Sequence, residues 1–295
     1  MNKFQGKERR KMPTLRIVTL NENTAPTKGR LIAEWGLSFL LKTKKTTILF
    51  DTGRHISVYY NAQLLGIDLN GIDKIVLSHS HSDHTGGLRQ ILERINKKRK
   101  VEVIAHPDIW KNRYNHYNDK PAKYMGMPFK KEELEKLGAS FCLSKKSIKI
   151  TDGMVTSGEI PITTNFENIS SKKTQRFILD DGSNKEDKVL DDQAIFFKTE
   201  QGLIVITGCA HRGIINTLYH AQKITGIDQI YAVIGGAHLI EASKERINQT
   251  ISIMQELNIQ KIGLCHCTGI QALNMILYKL PKQFIPITAG TVLEF

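Results

Sequence analysis

The sequence predicts an α/β protein: a sandwich of two mixed β-sheets with helices on their outer faces. Three observations carry that expectation. Short apolar runs of strand length alternate with helical patterns along nearly the whole chain. The order of a strand hairpin followed by β-α units occurs twice, as two related halves would require. No Pro/Ser-rich linker separates the halves, and 295 residues with 40% apolar content can bury one large core. The same apolar fraction excludes a disordered chain.

Taken in order, residues 1–13 form a basic arm (Lys3, Lys7, Arg9, Arg10, Lys11) with no apolar stretch behind it, unlike a secretory signal; Met12 offers an alternative start. The main domain runs 14–295. Leu15 to Leu20 reads as a strand, and Leu37 to Lys42 with Thr46 to Phe50 as a hairpin turning at Lys44-Lys45. Ile56 to Leu65 fits a helix closed by Gly66. A buried strand, Lys74 to Leu77, precedes a helix from Thr85 to Ile95 and a strand from Val101 to Ala105. Residues 107–192 are polar and weakly periodic, so they read as an insertion, in part a lid or small subdomain, holding one helix (Lys131 to Leu137) and short strands. The second half repeats the plan: hairpin Ala194 to Lys198 with Gly202 to Thr207, helix Ile214 to Ile224, strand Ile230 to Ile234, helix Lys244 to Leu257 and strand Lys261 to Leu264. Thr268-Gly269 opens a further helix, and Phe284 to Phe295 holds two short strands.

Forty-two basic against 29 acidic residues leave a net charge of +13. That sign admits nucleic acid, an anionic membrane face or an acidic small substrate as partner. No RNP-type or helix-turn-helix motif supports nucleic acid, and Lys97-Lys98-Arg99-Lys100 reads as a solvated helix end. An anionic small molecule is the expected partner; homo-oligomerisation is left open. No run of 18 apolar residues occurs, so no membrane span is expected. Cys142, Cys209, Cys265 and Cys267 form neither a CxxC pair nor a disulfide framework, which fits a reduced, cytoplasmic protein.

The chemistry concentrates where strand Lys74 to Leu77 runs into Ser78-His79-Ser80-His81-Ser82-Asp83-His84-Thr85-Gly86-Gly87. Three histidines and an aspartate at a strand end are costly to desolvate without a cation to hold. His79 and His81, two apart on an extended segment, project to one side and can grip one metal; Asp83 and His84 turn toward a second. Imidazole and carboxylate donors suit Zn²⁺, Fe or Mn. The small residues among them allow backbone and ion to approach closely.

His79-x-His81-x-Asp83-His84 behind a buried strand resembles the HxHxDH signature of the metallo-β-lactamase superfamily, and the chain fits that family from about Leu15. The resemblance implies an αββα sandwich with two divalent metal ions, Zn²⁺ foremost and Fe, Mn or Mg²⁺ as alternatives. It implies that His266, ending strand Lys261 to Leu264, joins Asp83 and His84 on the second ion. Asp51, in Phe50-Asp51-Thr52-Gly53, matches the family's first motif, whose aspartate braces a ligand from behind. Thr207-Gly208-Cys209-Ala210-His211-Arg212-Gly213, Gly235-Gly236-Ala237-His238-Leu239 and His266-Cys267-Thr268-Gly269 look like the subgroup that contains the archaeal 7,8-dihydropterin-6-methyl-4-(β-D-ribofuranosyl)aminobenzene-5'-phosphate synthase. Ser157-Gly158-Glu159-Ile160-Pro161 is similar to another of its segments.

The chain departs from the superfamily in one respect. No histidine stands just before Ala194, where the third ligand of the first ion is expected. His211, His106 and Asp192 are the candidates to replace it, with His116 in the same interval. Cys209 stands where relatives carry a bridging aspartate or a thiolate, and is a candidate ligand. Cys265 and Cys267 are expected on the side opposite His266, in the core. His238, behind two glycines, is expected to face substrate; His55 and His220 are expected to be structural or exposed.

The activity this implies is that of a metal-dependent hydrolase, or a synthase-type transferase, on a phosphorylated, pterin-like small molecule, with Asp83, His211 and His238 at the reacting centre. A lactonase or esterase is the alternative. A nuclease of the same fold would want further motifs, and a two-iron redox protein would carry glutamate in place of His81. In the insertion, aromatic rings alternate with cations. Segment 107–150 holds ten basic against five acidic residues, and Lys111, Arg113 and Lys123 are the candidates to bind a substrate phosphate.

Overall fold

Unbroken burial marks the central strands, as expected where both faces of a sheet are covered. The computed structural model describes residues 15–95, 99–117, 122–167, 175–179 and 186–295. The basic arm expected at 1–13 lies outside the described residues, as do Lys97, Lys98 and Lys120.

The first half comprises β1 (Arg16–Asn21), β2 (Ser38–Lys42), β3 (Thr47–Phe50), α1 (Ser57–Leu64), β4 (Lys74–Val76), α2 (Ser82–Thr85), α3 (Leu88–Arg94) and β5 (Val101–Ala105). Then follow β6 (Arg113–Tyr117), β7 (Lys123–Tyr124), α4 (Lys131–Lys136), β8 (Ala139–Leu143), β9 (Lys149–Thr151), β10 (Met154–Thr156) and β11 (Gln175–Leu179). The second half holds β12 (Ala194–Thr199), β13 (Gly202–Thr207), α5 (Ile214–Thr225), β14 (Ile230–Gly236), α6 (Lys244–Glu256), β15 (Lys261–Cys265), α7 (Ile270–Lys279) and β16 (Val292–Glu294).

One sheet has the order β16-β1-β2-β3-β4-β5-β8, and the other the order β15-β14-β13-β12-β10-β9. In each, an antiparallel hairpin (β2-β3, β12-β13) leads into parallel strands (β3-β4-β5-β8, β13-β14-β15). The expected repetition of halves is therefore present in the strand pairing. Alternate residues sort into three cores. Ile17, Phe39, Ile48, Phe50, Ile204, Ile206 and Ile234 meet between the sheets. Val18, Leu49 and Ile75 pack under α1 and α3, and Leu203, Val205 and Val233 under α5, α6 and α7. The layering is αββα.

Two expectations, the helix after β4 and the tail strands, need correction. The helix read as Thr85 to Ile95 is split: α2 ends at Thr85 and α3 begins at Leu88. A Cβ at Gly86 or Gly87 would stand 2.0 Å from Arg54 O or 2.1 Å from Thr52 O, so the chain is pressed against a neighbouring loop there. The segment expected as an insertion is divided among the sheets. Strand β8 extends the first sheet and β9-β10 the second, while β11-β6-β7 make a separate three-stranded sheet. In the tail only Val292–Glu294 forms a strand among the described residues; Phe284 makes an isolated bridge to Ile262.

Candidate metal centre

The motifs singled out in the sequence follow strands β3, β4, β13, β14 and β15, at the C-terminal ends where open α/β sheets place their ligands. Asp51 follows β3, the His79–His84 run follows β4, and Cys209, His238 and His266 lie just beyond β13, β14 and β15.

Among the described residues, two of the donor groups gather the predicted histidines. His79, His81 and His211 make one, and Asp83, His84 and His266 the other; within each group the ligand atoms lie within 4.8 Å of one another, and all six residues are buried. His79 Nε2 stands 3.0 Å from His81 Nδ1 and 3.2 Å from His211 Nε2. His84 Nε2 is 3.2 Å from His266 Nε2, and Asp83 Oδ2 is 3.4 Å from His266 Nε2. Donors on one tetrahedral ion at bond lengths near 2.0–2.1 Å stand roughly 3.3 Å apart. Cys209 Sγ, 3.1 Å from His84 Nε2, also lies within 4.8 Å of His79, so it sits between the groups.

The hydrogen bonds behind these nitrogens fix which atoms carry lone pairs. Asp51 Oδ1 accepts from Ser78 N at 2.7 Å, and its Oδ2 takes the Ser78 hydroxyl hydrogen and faces His84 Nδ1, each at 2.7 Å. Ser78 Oγ is then the acceptor for His79 Nδ1–H at 2.9 Å. Asn23 is oriented by donating Nδ2–H to His266 O and accepting Gly36 N–H, so its Oδ1 accepts from His266 Nδ1–H at 3.0 Å. With Nδ1 protonated in His79, His84 and His266, their Nε2 lone pairs point into the two groups. Lone pairs 3.2 Å apart repel unless a proton or a cation lies between them. The donor set therefore fits a pair of divalent ions.

Charge supports the same conclusion. Burial, followed by the neighbouring His84, His81 and His211, holds His79 well below the usual histidine range. Burial also drives His81 down to about 3, against the pull of Asp83. Both imidazoles are therefore neutral near pH 7. Burial disfavours charge on His84 too, but Asp51 and Asp83 outweigh it and raise that imidazole to about 9, so without an ion a proton takes the place between its Nε2 and that of His266. Burial alone would raise Asp83, yet His84 and His266 hold its carboxyl far below the usual range.

Of the three candidates for the missing ligand, the structure brings His211 to His79 and His81. His106 instead bonds Glu159 Oε1 at 3.0 Å and accepts from Asp108 N, and Asp192 Oδ2 accepts from Arg212 N at 2.9 Å. The side chain of His116 lies outside the described residues. His238 lies beside the first group, its ring 4.2 Å from that of His211. His55 is exposed near Glu34, and His220 on α5 bonds Ser157 O.

Arg113 requires correction as a substrate contact. It is fully buried, bonded to Asp187, Asp191 and Ser80 Oγ, because a guanidinium between two carboxylates can leave water only as a paired group. Asp191 Oδ2 also accepts from Ser80 N at 2.9 Å, so Arg113 braces the loop between His79 and His81. Lys111 is partly exposed and paired with Asp108 at 2.7 Å; Lys123 is exposed on β7. Cys265 and Cys267 are both buried, as expected; a short helical turn at His266–Thr268 replaces the extended backbone and brings Cys267 to Cys209 and His238. Sequence reasoning also missed Ser78 and Asn23. Ser78 adjoins the motif and was legible in principle, whereas Asn23 lies 243 residues from the histidine it orients and leaves no local signal.

Known proteins share this chain's sequence pattern and fold. Residues 36–162 match the family model described as the metallo-beta-lactamase superfamily. The chain is 38% identical over 97% of its length to the 7,8-dihydropterin-6-methyl-4-(beta-D-ribofuranosyl)-aminobenzene-5'-phosphate synthase of Methanocaldococcus jannaschii, 98% of which is covered. It is 32% identical over 88% of its length to an uncharacterized protein of the same archaeon, covering 93% of that protein. Among solved structures, Tm1679, described as a metal-dependent hydrolase of the beta-lactamase superfamily, superposes with a TM-score of 0.78 at 27% identity, covering 95% of this chain and 99% of that one.

Proposed function

This chain belongs to the metallo-beta-lactamase superfamily, and from that premise we propose that it is a dinuclear metal-dependent enzyme acting on a phosphorylated, pterin-like small molecule. The observation that carries the reading is the pair of convergent donor groups, with lone pairs set by Asp51, Ser78 and Asn23. His79, His81 and His211 would hold one ion, and Asp83, His84 and His266, with Cys209 beside them, the other. Zn²⁺ suits this mixture of imidazole, carboxylate and thiolate. Divalent ions in such a pair supply Lewis-acid charge to a phosphate or pyrophosphate oxygen and make hydroxide available near neutral pH.

The chain's own residues set the remaining conditions. Asp51 and Ser78 keep the ligand tautomers fixed. His238, nearly buried beside His211, is placed to meet substrate, and the net charge of +13 favours an anionic one. The name of the relative that matches nearly the whole chain supports a synthase that joins a dihydropterin methyl group to an aminobenzene ribosyl phosphate; on our reading the methyl carbon arrives activated as a pyrophosphate ester, which leaves as pyrophosphate. The likeness to Tm1679, a metal-dependent hydrolase, supports hydrolysis as the second reading.

The deciding experiment incubates metal-loaded enzyme with a pyrophosphorylated dihydropterin, with and without the aminobenzene ribosyl phosphate. Pyrophosphate release that requires both compounds supports the transferase, and release from the pterin alone supports the hydrolase. Turnover of an uncharged lactone with neither of these would overturn the proposal. The His79→Ala/His81→Ala and Asp83→Ala/His266→Ala variants should each lose about one ion per chain by elemental analysis.

A further inference from the structure

Strands β13, β14 and β15 are neighbours in one parallel sheet, registered Thr207 with Gly235 and Gly236 with Cys265. They end at Thr207, Gly236 and Cys265, and two residues beyond each end stand Cys209, His238 and Cys267. Adjacent parallel strands lie about 4.8 Å apart, so equal offsets from their ends carry these side chains to one place. Their Sγ and ring nitrogen atoms lie within 4.8 Å of one another, and all three residues are buried.

The local backbone is shaped around the cluster. A Cβ on Gly236 would lie 2.7 Å from Cys267 Sγ and 2.4 Å from Gly208 O, so only glycine leaves room for that sulfur. His238 holds its ring there at φ 46°, in the left-handed region, and Gly235 before it has φ 122°. Cys267 and His238 belong to neither of the two groups already described, and Cys209 is common to this cluster and to the vicinity of His84.

We infer that Cys209, His238 and Cys267 form a third metal position, contiguous with the other two and suited to a borderline-soft divalent ion such as Zn²⁺. Two thiolates and an imidazole select such an ion over the harder Mg²⁺ or Mn²⁺. Binding displaces the two thiol protons to solvent, and Cys209 then bridges this ion and the one held at His84. The inference goes beyond the dinuclear reading and does not depend on the substrate proposed.

The test uses the full chain, stripped of metal, kept reduced, and titrated with Co²⁺. Bound equivalents are read by elemental analysis after desalting, and sulfur ligation by the near-ultraviolet thiolate-to-cobalt band. The wild type should take up about three equivalents, and Cys267→Ser and His238→Gln each about two. In Cys267→Ser the band should fall to roughly a third, since three sulfur–cobalt contacts become one. If Cys267→Ser does not fold, the His238→Gln count decides alone. A wild type that binds two equivalents, with neither count nor band changed by Cys267→Ser, overturns the third position while leaving the two histidine-rich groups standing. Finding a Cys209–Cys267 disulfide by mass spectrometry in protein kept without reductant, with two equivalents bound after reduction, would assign the pair to redox chemistry and overturn it too.

Discussion

Asp51, His238 and His266 share a local property: their φ angles are 58°, 46° and 53°. Left-handed backbone costs an ordinary residue about 1–3 kcal/mol and persists where the surroundings over-determine it. Asn adopts it as readily as Asp, so Asp51→Asn changes charge while sparing the backbone. Losing the anion behind His84 should weaken metal binding roughly 10- to 100-fold, measured by competition with a chelator; unchanged affinity would deny Asp51 its bracing role. Asp192 offers a pH test in the metal-stripped protein. Burial first, then Asp191, outweighs the Arg212 backbone N–H and raises its carboxyl from 3.8 to about 7. A folded-state value above the unfolded one means stability present in acid and lost as pH rises from about 4 through about 7. The stability of Asp192→Asn relative to wild type should therefore grow across that window, by up to about 1.4 kcal/mol for each tenfold difference in proton affinity between the folded and unfolded chain, in denaturant melts. At this scale the HxHxDH residues were legible because they are consecutive. Cys267 is buried as expected, but its place beside Cys209 and His238 was not legible, because alternation holds only for extended backbone and His266–Thr268 turns.

At the scale of elements, the loop after β4 owes its shape to neighbours remote in sequence. Gly86 and Gly87 press against Arg54 and Thr52, and Arg113 on β6 ties Ser80 to Asp187 and Asp191. These contacts explain why the helical pattern from Thr85 to Ile95 is interrupted although no proline or charge marks the break. They also explain why Arg113 looked like a ligand-binding cation: its carboxylate partners come 74 and 78 residues later. Arg113→Met should leave two buried carboxylates unpaired and cost about 3–5 kcal/mol in chemical denaturation. Adding Asp187→Asn and Asp191→Asn should recover much of that loss. A triple variant no more stable than Arg113→Met would show that the ion pairs are not what the methionine disrupts.

For the molecule as a whole, periodicity recovered the αββα architecture because the central strands are apolar on both faces and the hairpin-then-β-α order recurs. The middle segment resisted reading because its strands are shared among three sheets, a distribution that local pattern does not encode. With Arg113 assigned to the scaffold, Lys111 and Lys123, both exposed, remain of the three candidate cations. Neutralising both should raise KM for a phosphorylated substrate more than it lowers kcat, the pattern of lost uniform binding. The same KM should climb with ionic strength, since a net charge of +13 attracts anions through a field that salt screens. A salt-independent KM, with no effect of the double variant, would argue for an uncharged substrate.

The separation of the candidate ligands along the chain would make each bound ion a covalent-like staple. His79 meets His211 across 132 residues, and His84 meets His266 across 182. Closing loops of that length removes roughly 4–5 kcal/mol of chain entropy from the unfolded state, on the scale of a long-range disulfide, if the ions bind the folded chain alone. The two ions would then bolt one half of the sandwich to the other. Chelation should loosen that seam before either sheet melts, and hydrogen exchange should quicken first at the ends of β4, β13 and β15.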